Sequence, residues 1–178
     1  MDFGKELLPG VQHVSLRRFQ DDRGTFVKTY SRQLFDANGA PFDLREEFYS
    51  FSRKDVVRGM HFQVPPHDHV KIVYCAAGAV LDVLVDLRGG PGQGAVASVV
   101  LRGDEPSLLV IPKGIAHGFK SLSDDSLMIY KTSTEHSPAH DKGIRWDSFG
   151  FDWGVDSPPV LSARDAAHPA LADFLSPF

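Results

Sequence analysis

Along this chain the hydrophobic residues fall in short runs separated by glycine and proline. The clearest run is Ala79 to Leu87: Leu81, Val83, Val85 and Leu87 point one way, and Val80, Asp82, Leu84 and Asp86 the other. Val70 to Cys75, Ala97 to Leu101, Ser107 to Ile111 and Ser126 to Thr134 are runs of the same kind, rich in β-branched residues. Turn signals divide them at Ala77-Gly78, Gly89-Gly90-Pro91-Gly92 and Arg102-Gly103-Asp104. Short strands with such regular turns predict an antiparallel all-β sandwich or barrel. Helix is scarce. Ser31 to Asn38 fits one, with Ser31 placed to cap it, and Ser162 to Leu175 holds a further turn or two. Neither a βαβ alternation nor a glycine-rich nucleotide loop occurs, which argues against a dinucleotide-binding fold.

A chain of 178 residues fits a single domain over 1–178. With 42% hydrophobic and 24% charged residues it has the composition of a folded globular protein rather than a disordered one. A net charge of −4 excludes a general nucleic-acid surface, which needs a basic face. A few well-placed Arg and Lys would still hold one pyrophosphate. The lone cysteine, Cys75, rules out an internal disulfide. No run approaches the roughly 18 apolar residues of a membrane span, and no basic segment followed by an apolar run opens the chain. The expectation is a cytoplasmic protein with neither membrane nor nucleic acid as a partner.

The histidines carry the first hint of chemistry. His61, His67 and His69 fall within nine residues, and His117 lies in Pro112-Lys113-Gly114-Ile115-Ala116-His117-Gly118-Phe119. A Pro-x-Gly-x-x-His segment behind a histidine-bearing strand resembles the motifs of the cupin jelly roll. In metal-binding cupins, histidines at alternate strand positions and a glutamate converge on an ion. The bare residues admit such a site at His67, His69 and His117. Lys71 stands where the glutamate would be expected, and an ammonium adds positive charge while offering no lone pair. His67 and His69 read more readily as loop residues behind Pro65-Pro66.

His61 sits in Arg58-Gly59-Met60-His61-Phe62-Gln63-x-Pro65-Pro66, and here the sequence resembles the dTDP-4-dehydrorhamnose 3,5-epimerase family. The resemblance runs through Asp22-Arg23-Gly24-x-Phe26, Lys71-Ile72-Val73, and Gly78-x-Val80-x-Asp82-Val83-x-Val85-Asp86-Leu87-Arg88. It continues in Ile111-Pro112-x-Gly114-x-Ala116-His117-Gly118-Phe119, Tyr130-Lys131-Thr132, Gly143-Ile144-x-Trp146 and Leu161-Ser162-Ala163-Arg164-Asp165. It implies a cupin-like antiparallel jelly-roll barrel and a cofactor-independent, metal-free epimerase. The substrate class implied is a nucleoside-diphosphate 4-keto-6-deoxyhexose, inverted at C3, C5 or both.

Epimerisation beside a ketone needs a base to take the α-proton, an acid on the other face, and positive charge or a donor near the carbonyl oxygen. The resemblance implies His61 as base, Asp165 as the carboxylate orienting it, and Tyr130 as proton donor. It implies substrate contacts at Arg23, Arg58, Lys71, His117, Asp141 and Arg164, and a homodimer that exchanges N-terminal strands. Departures from the family pattern stand at Lys28, Glu46, Phe48 and His136, positions tied to the nucleotide and its sugar. They imply the same reaction class with an altered recognition end. A 3-epimerase or keto-isomerase on another nucleotide sugar, and a non-catalytic sugar- or nucleotide-binding jelly roll, stay open at this point.

Overall fold

The computed structural model describes residues 1–178. Its strands are β1 (Asp2–Leu8), β2 (Val11–Ser15), β3 (Arg18–Asp21), β4 (Gly24–Val27), β5 (Glu46–Ser52), β6 (Val57–Gln63) and β7 (Lys71–Ala77). They continue as β8 (Ala79–Asp86), β9 (Val96–Arg102), β10 (Ser107–Ile111), β11 (Ile115–Ser121), β12 (Ser126–Thr132) and β13 (Asp141–Gly143). Two short helices, α1 (Arg32–Ala37) and α2 (Ala163–Ala166), and a 3-10 turn at Leu171–Asp173 complete the elements. Ser31 occupies the cap position of α1, but its hydroxyl makes no capping bond. Ser162 does cap α2, its hydroxyl accepting from the Asp165 N–H at 3.0 Å.

Two antiparallel sheets face each other, one ordered β1-β2-β10-β7-β12-β5 and the other β13-β6-β11-β8-β9. The architecture is the expected cupin-like jelly roll. Between the sheets an apolar core joins Val73, Leu109 and Met128 of the first to Val80, Leu84 and Phe119 of the second. Each sheet is covered over part of its outer face as well. The loop around Phe35 and Phe42 covers Val14, Ile72, Leu108 and Val110. The segment from Ile144 to Phe178 covers Met60, Phe62, Val83, Val85 and Leu87. Burial on both sides explains why β8 and β10 carry apolar residues at nearly every position. The β3–β4 hairpin belongs to neither sheet.

Candidate active site

A cavity of about 490 Å³ has walls that come from both sheets and from α2. On β6, Arg58 and His61 both line it although they lie three residues apart. Strict alternation would send them to opposite faces. A bulge resolves the conflict: His117 pairs with His61 and Phe119 with Arg58, so β6 holds one residue more than β11 over the same stretch. The bulge is made where Gly59 (φ 126°) passes Gly118, and a Cβ on Gly59 would stand 2.5 Å from the Gly118 Cα.

Asp165 is brought to His61 by the cap of α2. One of its oxygens accepts from His61 Nε2 at 2.7 Å, and the other accepts from the Gly59 N–H at 3.3 Å. Burial pushes this carboxyl up, but its bonds to His61 and Gly59 outweigh that and hold it below the usual carboxylate range. An ionised carboxylate only accepts, so Nε2 of His61 is the donor and Nδ1 keeps a free lone pair. An imidazole held in this tautomer can accept a proton at Nδ1.

Tyr130, on β12, belongs to the opposite sheet. Its hydroxyl shares a 3.0 Å hydrogen bond with Ser50, and its ring stacks on Phe48 at 4.9 Å. Burial raises its phenol well above the ordinary value, so it stays protonated at neutral pH. Lys71 is buried on β7, beside Thr132 of β12. Desolvation lowers its ammonium to about 8, against the opposing pull of Asp141 and Asp82. His117 bonds Asp82 at 2.8 Å, both fully enclosed, and burial pushes the imidazole down and the carboxyl up.

Toward the mouth, Asp141 accepts from Arg164 at 2.7 Å and from His136 at 3.0 Å, and Glu46 accepts from the His136 N–H at 2.9 Å. Arg58 reaches Ser52 Oγ at 3.0 Å. Eight of the nine residues singled out from the sequence therefore line one cavity: His61, Tyr130, Asp165, Arg58, Lys71, His117, Asp141 and Arg164. Arg23 does not; its side chain is 90% exposed on the β3–β4 hairpin, paired with Asp21. Glu46, Phe48 and His136 stand on the cavity wall, whereas Lys28 is exposed outside it.

The alternative metal set is not assembled. His67 stacks on His140 at 4.3 Å, His69 is held by Gln63, and His117 is taken by Asp82. His69 does line the cavity, its imidazole lowered to about 3 by burial and by Lys71, Lys113 and His117. Sequence reasoning missed Asp82 as the partner of His117. The signal was present, since alternation in β8 places this acid on the face of Val80 and Leu84.

Known proteins resemble this chain over nearly its whole length. The dTDP-4-dehydrorhamnose 3,5-epimerase family model matches residues 5–173. The dTDP-4-dehydrorhamnose 3,5-epimerase of Salmonella typhimurium is 37% identical over 171 residues, 94% of this chain and 93% of that protein. Among solved structures, the Mycobacterium tuberculosis epimerase superposes with a TM-score of 0.91 at 34% identity, over 97% of this chain and 90% of that one. A Legionella pneumophila dTDP-6-deoxy-D-glucose-3,5-epimerase, in complex with dTDP-4-keto-L-rhamnose, gives 0.87 at 30% identity, covering 92% and 88%. This chain is a nucleotide-sugar epimerase and belongs to the dTDP-4-dehydrorhamnose 3,5-epimerase family.

Proposed function

We propose that the cavity takes a thymidine-diphosphate 4-keto-6-deoxyhexose and inverts C3 and C5 by successive proton transfers. His61 removes the α-proton through Nδ1, and Asp165 stabilises the imidazolium that forms. Negative charge moves to the C4 oxygen, where the Lys71 ammonium and His117 receive it. Tyr130 returns a proton from the opposite face, and its raised pKa suits it to give that proton only to a strong base such as an enolate. Arg58 and Arg164 present guanidinium groups to the diphosphate. Asp141 holds Arg164 in place.

The observation that carries this reading is the division of labour between the sheets. The oriented imidazole projects from one, and the buried phenol from the other. A base and an acid on facing walls are what inversion requires. The substrate is carried from the Legionella relative, whose structure holds dTDP-4-keto-L-rhamnose. Inversion at both carbons, a cytoplasmic location and a homodimer belong to the same proposal. In the dimer, the β3–β4 hairpin crosses to the partner and brings Arg23 to the partner's cavity. The open aromatic surface of β5 (Tyr49 66% and Phe51 57% exposed) and of the hairpin (Phe26 61%) supports that arrangement.

Incubation with the 4-ketosugar nucleotide in D₂O tests the chemistry. Deuterium is expected at C3 and C5. His61→Asn lowers exchange at both by about 10² to 10⁴-fold. Tyr130→Phe keeps exchange but loses efficient inversion. A folded His61→Asn protein with near-normal exchange would overturn the assignment of the base.

A further inference from the structure

Beside the His61–Asp165 pair lies a third side chain that the proposed reaction does not use. His168 follows just after α2, and its ring meets the His61 ring edge-on, with centroids 5.7 Å apart. Its Nε2 lies 3.8 Å from Asp165 Oδ1, is buried, and has no hydrogen-bond partner. Room for the ring comes from Gly143, which pairs with His61 across β13 and β6; a side chain there would run into the imidazole. One donor atom from each of His61, Asp165 and His168 lies within 4.8 Å of the other two. A buried nitrogen without a partner is costly, and a ligand seated between it and the carboxylate it does not bond would supply one.

We propose that His61, Asp165 and His168 form a site for Zn²⁺ or a similar transition-metal ion, and that its occupation switches the epimerase off. Two imidazoles and a carboxylate are the donor set of an open tetrahedral zinc centre, with the fourth position free for water or a substrate oxygen. Mg²⁺ and Ca²⁺ want six or more oxygen donors and find here a single carboxylate. Donor atoms around zinc stand about 3.3 Å apart, given bond lengths of about 2.0–2.1 Å. The 2.7 Å His61–Asp165 separation must open, and the 3.8 Å His168–Asp165 separation close, by about half an ångström each. The ion enters from the cavity, which His61 and Asp165 line, and His168 meets it from behind. It takes the place of the proton between His61 and Asp165; that proton passes through solvent to Nδ1, so the neutral imidazole is held on the metal through Nε2 and its Nδ1 lone pair is no longer free to act as base. The inhibitory half rests on His61 being the base; metal uptake does not.

The test uses untagged protein stripped of metal by chelation, with His168→Gln and His168→Phe alongside and their folding checked by circular dichroism. Zn²⁺ is titrated calorimetrically, and Co²⁺ by the visible absorption of a tetrahedral centre. Uptake of one ion per chain is expected for the natural sequence, with at least about 100-fold weaker uptake by both variants, since even outer-shell partners are worth about 10–100-fold. In deuterium exchange, Zn²⁺ suppresses the natural protein reversibly, while the variants keep their exchange in its presence. Equal Zn²⁺ affinity across all three proteins, or uptake by none, overturns the proposal. Zn²⁺ held through His168 with exchange undiminished supports the site and tells instead against His61 as the base, so the two failures are distinguishable.

Discussion

Lys71 shows how much one side chain owes to its burial. In water its ammonium would stay charged far above neutrality; in the barrel it titrates at about 8. In the proposed mechanism the charged form is the one that meets the enolate oxygen, and it is present below that value. As pH rises through about 8 the cation is lost, so kcat/KM for exchange, which reports the free enzyme, is expected to fall on that limb. Lys71→Met should lower exchange about 10² to 10³-fold and remove the limb. An unchanged alkaline limb in Lys71→Met would assign it to another group. The sequence made Lys71 legible because its motif marked it. His168 was not legible, and Asp82 was legible only as an acid on an apolar face and not as the partner of His117, because a partner on another strand or beyond a helix is set by the fold and not by spacing. Only the position of Asp82 on an apolar face hinted at a buried pair.

At the scale of elements, β12 could be read from alternation, and β8 and β10 from short β-branched runs bounded by turn signals. The strand that carries the chemistry could not. Arg58 and His61 share a wall of the cavity only through the bulge at Gly59, and a bulge is invisible to a period-two reading. Gly59→Ala tests that dependence. The new Cβ meets the Gly118 backbone and must adopt positive φ, costs of about 1–3 and 1–2 kcal/mol respectively. Chemical denaturation should show a loss near their sum, and exchange should fall even under conditions where the protein stays folded. Stability and exchange both unchanged would mean that β6 tolerates a different register. The helix α2 lies at the other extreme, since the Ser162-x-x-Asp165 spacing already carries the cap that sets the carboxylate.

For the molecule as a whole, the expectation is assembly. Light scattering should give a dimer, and Phe26→Asp together with Tyr49→Asp should yield a monomer with exchange much reduced, because Arg23 then has no partner cavity to enter. A fully active monomer would refute the shared site. No pattern within one chain reveals such an arrangement; the exposed aromatic residues of β5 and the hairpin are its only trace.

The segment that covers the outer face of the second sheet has a consequence in time. Asp165 lies on this segment, after every strand in the chain, and so do both tryptophans, Trp146 and Trp153. Trp153 is fully enclosed once the segment is down. A refolding chain can therefore close its barrel and seat His61 while the imidazole still lacks its carboxylate. Strand signal in the far ultraviolet should return first, with tryptophan emission and deuterium exchange recovering later at one shared rate. Exchange that returned ahead of the emission would show that the dyad forms without the covering segment. On the proposed mechanism, the segment that follows the last strand is the one that arms the enzyme, and its own indoles report the moment.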